Sequence, residues 1–254
     1  MKTILVLLLA LLGCAGEAQA LGRLADVQVY DRTTGTALPV YAHSGRYYVA
    51  GEPGHEYQIA VTNRDAGRVM AVGSVDGVNV ISGETAGTGQ NGYVLAPWQS
   101  MSIAGWRKSM DNIAAFYFTR LPDSYAARTG RPDDVGVIGV ALFREKQLPC
   151  CVRREDEPWR DSGAARSSSA APPASDAFGR MQEKDERLGT GHGRIEESQV
   201  TYTEFARASS RPDELVAIYY DSYSNLCKQG VIAAPAPPRQ HRPRPFPGGF
   251  TPDP

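Results

Sequence analysis

The stretch Gly189–Gly193 (Gly-Thr-Gly-His-Gly) holds the residue types best suited to chemistry in this chain. Glycines let the backbone approach an anion closely, and the imidazole of His192 can act as a base or a metal ligand. The stretch lacks the lysine of a phosphate-binding loop, and no second histidine lies nearby in the sequence. We therefore predict a flexible loop here, with a hydrolase that uses His192 as the alternative.

Aromatic and basic residues form a second candidate site. Tyr93, Trp98 and Trp106 lie close together in the sequence, and Arg107 follows directly. Rings of this kind stack on sugars or anchor protein interfaces when they lie in loops. The alternative is that they close the ends of a β core, because large aromatic side chains dominate cores. We predict a binding surface made of Tyr93, Trp98, Trp106, Arg107 and His192.

Other catalytic and metal-binding patterns are missing from the sequence. No Gly-x-Ser-x-Gly elbow occurs, and the four histidines are widely scattered. Asp76 and Asn79 offer oxygen ligands for calcium, but the dense Asp/Asn series of a calcium loop is missing. We assign no catalytic residue, no metal and no cofactor, and lean towards a protein that is not an enzyme. A formal net charge of −1 gives no overall attraction to nucleic acid, so no nucleic-acid partner is expected.

The amino terminus has the features of an export signal. Met1-Lys2 precedes the apolar run Ile4–Leu12, which is too short to span a bilayer. Ala18-Gln19-Ala20 fits a signal-peptidase site, so we predict that residues 1–20 are removed. Alternatively, Leu11-Leu12-Gly13-Cys14 resembles a lipobox, and Cys14 would then carry a lipid anchor. Both interpretations place the protein outside the cytoplasm, either periplasmic or secreted, or anchored to the outer membrane.

Three cysteines remain after residues 1–20 are removed: Cys150, Cys151 and Cys227. Adjacent cysteines rarely bridge each other, because the disulfide dihedral is hard to satisfy across one peptide bond. In an oxidising compartment we therefore predict one disulfide, joining Cys227 to Cys150 or Cys151. The alternative is that all three thiols are free.

Short strands separated by turns must position these residues. Asp76-Gly77 lies between two apolar runs and predicts a tight hairpin, because a type I′ turn needs positive φ at both central residues. Both faces of 68–75 are apolar, which places this strand inside a sheet packed on both sides. We predict strands at 24–30, 38–43, 46–50, 56–63, 68–75, 78–81, 92–95, 100–105, 113–119 and 135–144, and one helical turn at 124–129. This spacing is typical of a β-sandwich or barrel.

Composition divides the chain into five parts. A β-sandwich domain is predicted at 21–148, after the signal peptide at 1–20. Residues 149–186 are rich in Ala, Ser and Pro and predict a disordered linker. Residues 187–232 predict a segment that docks on the sandwich, with strands at 197–205 and 214–220 and a helix before Gly230. Residues 233–254 contain eight prolines and predict a disordered tail that favours polyproline II.

Several motifs resemble those of an uncharacterised family of exported bacterial β proteins. The motifs are Tyr47–Tyr57, Ser74–Val80, Gly92–Pro97, Gly105–Lys108 and Asp123–Gly130. The resemblance covers about residues 24–145, and 188–232 is similar to the family's C-terminal piece. It implies export and a β architecture, but no activity and no site residue.

Together these observations predict an all-β protein, an antiparallel β-sandwich with a short C-terminal strand–helix segment. We expect a non-enzymatic binding or structural module of the cell envelope. Its partner would be a protein or a glycan, and the chain would have no transmembrane segment. A secreted hydrolase using His192 and a lipoprotein anchored through Cys14 are the alternatives.

Overall fold

The computed structural model describes residues 21–147 and 187–233, and this part of the chain is mostly β. The strands are β1 (Ala25–Asp31), β2 (Thr36–Ala37), β3 (Val40–His43), β4 (Arg46–Gly51), β5 (Glu56–Asn63), β6 (Val69–Val75), β7 (Val78–Asn79), β8 (Tyr93–Leu95), β9 (Ser100–Ile103), β10 (Gly105–Arg107), β11 (Asn112–Arg120), β12 (Val137–Arg144), β13 (Leu188–Glu197) and β14 (Glu214–Ser222). The α-helices are α1 (Tyr125–Arg128) and α2 (Tyr223–Lys228), and 3-10 turns lie at Leu121–Asp123 and Pro132–Asp134.

The described strands form two sheets of seven. The first sheet has the order β10–β11–β5–β1–β2, with β9 on β5 and β13 on β11. The second has the order β3–β4–β14–β12–β6–β7, with β8 on β6. The strands after the undescribed residues 148–186 thus join both sheets, β13 pairing with β11 and β14 lying between β4 and β12.

One pairing differs from the antiparallel sheets that we predicted. Strands β4 and β14 run parallel, with Tyr48 opposite Tyr219. Every other strand pairing within the described residues is antiparallel. A parallel pair needs a long connection between its strands, and here that connection runs from residue 52 to residue 213.

A single cluster of buried side chains draws on both sheets. Ile59 of the first sheet and Val140 of the second belong to it, and each is almost fully buried. The rings of Phe118 and Tyr220, which come from different sheets, lie with their centroids 5.4 Å apart. Burying a large apolar side chain contributes about 1.5–3 kcal/mol, so this cluster is the main source of stability.

A second apolar cluster covers the other face of β6 and β12. Its buried members are Met70, Val72, Ala141 and Phe143. Phe205, from the connection between β13 and β14, packs on it, and the guanidinium of Arg207 lies 4.1 Å from the centroid of the Phe143 ring. The prediction that β6 is packed on both faces is confirmed.

The local turn and helix signals of the sequence are also confirmed. Asp76 and Gly77 have φ of 52° and 70°, as a type I′ turn requires. The hydroxyls of Ser124 and Ser222 accept hydrogen bonds from the first turns of α1 and α2. Gly130 and Gly230 follow the two helices with positive φ.

Two predictions around residue 190 are wrong. The strand lies at Leu188–Glu197 rather than at 197–205, and the stretch Gly189–Gly193 is part of it rather than a flexible loop. Its glycines serve close packing, since a Cβ at Gly191 would lie 2.2 Å from Cζ of Tyr117 on the neighbouring strand β11. Gly189 instead lies against Ser124 and Val135, and a Cβ at Gly193 would lie 2.7 Å from the backbone oxygen of Ala115, so each glycine of the motif allows a different close contact.

Replacing Gly191 with alanine tests this explanation. The new methyl group would force Tyr117 or β13 to move, and we expect the free energy of unfolding to fall by about 1–3 kcal/mol in urea denaturation. Gly89→Ala is the matched control, because a Cβ there meets nothing within 4 Å. Equal stability of the two variants would contradict the role assigned to Gly191.

Candidate functional site

A row of tyrosines crosses three neighbouring strands of the second sheet. Tyr41 of β3 lies opposite Tyr48 of β4, and Tyr48 lies opposite Tyr219 of β14. Residues opposite each other on adjacent strands project from the same face of a sheet. The ring centroids of Tyr48 and Tyr219 are 5.6 Å apart, and all three residues are half-buried.

This row faces away from the core shared by the two sheets. Val49 and Ile218, the chain neighbours of Tyr48 and Tyr219, are buried in that core. Successive side chains of a strand point to opposite faces, so the tyrosines must lie on the other face. Tyr223, at the start of α2, is 47% exposed, and its pKa is raised first by Cys227 and more weakly by the neighbouring Tyr41. Tyr41, Tyr48, Tyr219 and Tyr223 are named the tyrosine face below.

Basic and imidazole side chains border the tyrosine face. The guanidinium carbon of Arg46 lies 5.3 Å from the ring centroid of Tyr219, within range of a cation–π interaction. The ring of His43 meets that of Tyr48 edge-on at 6.5 Å. These contacts limit the motion of the tyrosine rings and leave a surface that is apolar in its middle and basic at one side.

A small cleft of about 140 Å³ adjoins the tyrosine face. Its lining residues are Tyr48, Val135, Gly136, Arg187, Leu188, Tyr219, Tyr220, Asp221, Leu226 and Gln229. The cleft thus brings together β4, β14, the start of β13 and α2. A volume of this size accommodates one ring of a ligand rather than a whole small molecule, since ligand pockets usually measure about 300–1,000 Å³.

The carboxylate in the wall of this cleft is fully engaged by the protein. Oδ1 of Asp221 accepts hydrogen bonds from the backbone N–H of Leu188 (3.2 Å) and of Ser222 (2.7 Å). It also accepts one from Nδ2 of Asn225 at 2.9 Å, and Oδ2 accepts one from Nε2 of Gln229 at 3.2 Å. Asp221 therefore joins β13, β14 and α2, and its hydrogen bonds explain why the cleft has a defined shape.

A buried hydrogen-bond network lies behind the tyrosine face. Oδ1 of Asp76 accepts a hydrogen bond from the hydroxyl of Tyr220 at 2.6 Å, and Oδ2 accepts one from the backbone N–H of Thr190 at 2.8 Å. The Thr190 hydroxyl bonds to the hydroxyls of Tyr220 (2.7 Å) and Tyr57 (2.6 Å). Burial raises the pKa of Asp76 to about 6, although these donors favour the charged form. Asp76, Thr190 and Tyr57 have no exposed surface, so the network cannot reach a substrate directly.

Two of the predicted site residues, the buried Trp106 and the half-buried His192, contact each other. Trp106 is only 2% exposed and packs edge-on against Phe116. The ring of His192 lies parallel to that of Trp106, with centroids 6.3 Å apart, and also contacts Tyr125 at 5.6 Å. Burial, and then the positive charge of Lys108, lowers the pKa of His192. Within the described residues His192 makes no hydrogen bond to a carboxylate, so the pair contributes to packing.

Tyr93 and Arg107 are hydrogen-bonded to each other within the protein. Tyr93 is 8% exposed, and its hydroxyl accepts hydrogen bonds from Nη2 (3.1 Å) and Nε (3.3 Å) of Arg107. The same guanidinium donates to the hydroxyl of Ser198 at 3.0 Å and to the backbone carbonyl of Ser198. Arg107 therefore fastens the chain that follows β13 to the end of β8.

Trp98 stands apart from the other predicted residues. It is 66% exposed, and its φ is 62°. The backbone N–H of Gln99 donates to the carbonyl of Ala96, which with Pro97 places Trp98 at the third position of a tight turn. Glycine is the usual residue there, so a bulky ring at this φ carries backbone strain. Its loop follows β8, at the opposite edge of the sheet from β3 and the tyrosine face.

The tyrosine face was missed because its pairing is not local. Adjacent residues of a strand point to opposite faces, so one ring of Tyr219-Tyr220 lies on the core side, and Tyr220 is buried there. Tyr47 is 41% exposed, so neither member of Tyr47-Tyr48 is fully buried. Nothing in the sequence indicates that β4 and β14 pair in parallel, and only this pairing places Tyr48 beside Tyr219.

The cysteine predictions fall largely outside the described residues. Cys227, in α2, is half-buried. The proposed partners Cys150 and Cys151, and the alternative lipidation residue Cys14, lie outside the part of the chain that the structure describes. Both the disulfide and the lipid anchor therefore stay predictions.

Over 21–147 and 187–233, no group of three or more His, Cys, Asp or Glu side chains is arranged to hold a metal ion. In the same residues, no helix has the length and apolar character needed to cross a membrane.

A larger open cleft, of about 440 Å³, lies at the far ends of β6 and β12. Arg68 pairs with Glu145 there, and Nε of Arg144 lies 2.8 Å from Oδ2 of Asp65. These charges neutralise each other, so the tyrosine face is the better candidate for a contact surface.

The raised pKa of Asp76 predicts a specific pH dependence of stability. In the unfolded state the pKa of Asp76 is near 3.8, so the folded state binds this proton more tightly. The contribution of Asp76 to the free energy of unfolding therefore rises as the pH falls from about 6 towards 4. Asp76→Asn removes this contribution, which is on the order of 2–3 kcal/mol. Urea titrations at pH 7 and pH 4 measure the free energy of unfolding of both proteins. We expect the value for the wild type minus that for the variant to be larger at pH 4 by this amount. The lowered pKa of His192 acts in the opposite direction in both proteins and cancels in the difference. A constant difference across this range would contradict the assignment.

Comparisons with known proteins give no match of any of the three kinds. No protein-family model, no curated protein and no solved structure matches the chain. The resemblance to exported bacterial β proteins therefore rests on the sequence motifs alone, and the function must be argued from the tyrosine face.

Proposed function

We propose that this chain is an exported β-sandwich that acts as a non-enzymatic binding module of the cell envelope. In this proposal the tyrosine face contacts a protein or glycan partner. The observation that carries it is the row of Tyr41, Tyr48 and Tyr219 across three strands, on the face opposite the core.

The chemistry of this face suits contact with a partner. Tyrosine offers a large apolar ring and a hydroxyl, and it has few side-chain torsions to immobilise when a partner binds. The contacts of Tyr219 with Tyr48 and Arg46 hold the rings before binding, which reduces the entropy lost on association. Tyrosine and arginine are also the residues most often found at the energetic centres of interfaces.

The titratable groups near this face support binding rather than turnover. Asp221 has its carboxylate oxygens occupied by four donors, and Asp76 is fully buried. The alternative, a secreted hydrolase that uses His192, requires a carboxylate to orient the ring and a nucleophile beside it. Within the described residues His192 has aromatic neighbours and nearby cations instead.

Two observations are consistent with an exported sandwich. The buried cluster that draws on both sheets is the arrangement expected of two sheets packed face to face. Cleavage after Ala20 would leave Leu21 as the first residue, and Leu21 is buried, with its carbonyl accepting a hydrogen bond from the backbone N–H of Val27 at 2.8 Å. A lipoprotein anchored through Cys14 is the alternative route out of the cytoplasm.

The intact mass of the exported protein tests the processing and the disulfide together. We expect a chain that begins at Leu21 and in which alkylation without reductant modifies one of the three thiols. A mass that includes Cys14 with a diacylglyceryl group would favour the lipoprotein. Alkylation of Cys150, Cys151 and Cys227 without reductant would show that the predicted disulfide does not form.

Removing two rings from the tyrosine face tests the proposed function. The purified chain is mixed with isolated envelopes from the producing cells, and the bound fraction is measured with and without proteinase K treatment of the envelopes. We expect Tyr48→Ala/Tyr219→Ala to weaken binding by at least about tenfold, as expected when central aromatic contacts are lost. Proteinase K should abolish binding to a protein partner and leave binding to a glycan intact.

Tyr202→Ala is the matched control, because Tyr202 is 90% exposed and lies in the connection between β13 and β14. Its binding should equal that of the wild type. Circular dichroism verifies that both variants fold. Wild-type binding by a folded Tyr48→Ala/Tyr219→Ala protein would overturn the tyrosine face as the contact surface.

A further inference from the structure

The dimensions of the tyrosine face match those of a polyproline II helix. Tyr41, Tyr48 and Tyr219 lie on three consecutive strands, and strands are spaced about 4.8 Å apart, so the row spans about 10 Å. A polyproline II helix rises about 3.1 Å per residue, so prolines at positions i and i+3 lie about 9 Å apart on one side of the helix. Surfaces lined by aromatic rings bind such helices because the proline rings pack on the aromatic rings and the preformed helix loses little entropy.

The chain itself contains a proline-rich segment, and the described residues that precede it lie beside the tyrosine face. Pro235 and Pro238 stand three residues apart, within the eight prolines of residues 233–254. Leu226 and Gln229 of the α2 region line the cleft that adjoins the tyrosine face. The backbone N–H of Val231 donates to the carbonyl of Leu226 at 2.9 Å, which holds the chain at this end of α2.

The segment 234–254 is long enough to reach the tyrosine face. Ile232 is buried, and the first proline follows three residues later. An extended segment of 21 residues (234–254) covers up to about 65 Å at the polyproline rise. A segment tethered this close has an effective concentration on the order of millimolar, so a weak intrinsic affinity suffices for binding.

We propose that residues 234–254 of this chain bind to the tyrosine face, with Pro235 and Pro238 packed on the rings at the two ends of the row, Tyr41 and Tyr219. This inference rests on the proposed function, in which the tyrosine face is the contact surface. Arg46 and His43 border the face, and the segment itself carries Arg239, Arg242 and Arg244. These like charges repel each other, so binding must come from the packing of the rings, and we expect salt to strengthen it slightly by screening the repulsion. The segment competes with any external partner for the same rings.

Hydroxyl-radical footprinting of the full exported chain tests the proposal. The comparison is between the wild type and Pro235→Ala/Pro237→Ala/Pro238→Ala, with oxidation of each tyrosine measured by mass spectrometry. We expect Tyr48 and Tyr219 to be oxidised about threefold more in the variant, since a tethered segment at millimolar effective concentration occupies the face most of the time. Tyr202, which is 90% exposed, is the internal control and should not change.

A synthetic peptide of residues 234–245 provides the second measurement. Added in excess to the proline variant, it should restore the protection of Tyr48 and Tyr219, and the same peptide with its prolines replaced by alanine should not. Equal oxidation of wild type and variant would overturn the proposal, even if the free peptide protects the face. Because envelope binding is measured separately with Tyr48→Ala/Tyr219→Ala, loss of the segment proposal leaves the proposed function to be judged on its own experiment.

Discussion

The buried carboxylate of Asp76 is the interaction on which the arrangement of the two sheets depends. It lies in the hairpin between β6 and β7 and accepts hydrogen bonds from Tyr220 of β14 and from the backbone of Thr190 in β13. The backbone N–H of Gly136, just before β12, donates to it at 2.9 Å. A buried carboxylate without such donors costs several kcal/mol. Two of the three donors, Thr190 and Tyr220, come from the segments after residue 187, so the hairpin is more stable once these segments are in place.

The same constraint links the interior of the protein to its proposed contact surface. Tyr220 donates to Asp76 on the core side of β14, while Tyr219 projects from the opposite face beside Tyr48. Asp221, the next residue, fastens β14 to α2 and to the start of β13. The contacts of Tyr219, Tyr220 and Asp221 thus hold β14 from both faces of the sheet. The ring of Tyr219 therefore projects from a strand that is held in place.

The sequence predicted the features that depend on neighbouring residues. Turn chemistry predicted the Asp76-Gly77 hairpin, and terminal glycines predicted the ends of both helices, because these signals act within a few residues. The prediction of a loop at the glycine-rich stretch of β13 was wrong, because Gly191 is required by the close approach of Tyr117 on another strand. Trp106 and Tyr93 were candidates for a binding surface, with the β core as the alternative, and the structure buries both. The tyrosine face depends on a parallel pair joining residues about 170 positions apart, which no local pattern encodes.

The central place of β14 has a consequence for how the chain acquires its structure. Strands β4 and β12 are neighbours only through β14, which is made after both of them. Until residue 222 has left the ribosome, each of these strands presents an unpaired backbone edge, and such edges tend to pair with other chains. Completion of the second sheet is therefore a late event in biosynthesis, and the emerging polypeptide must be kept apart from its own copies until its last strand arrives.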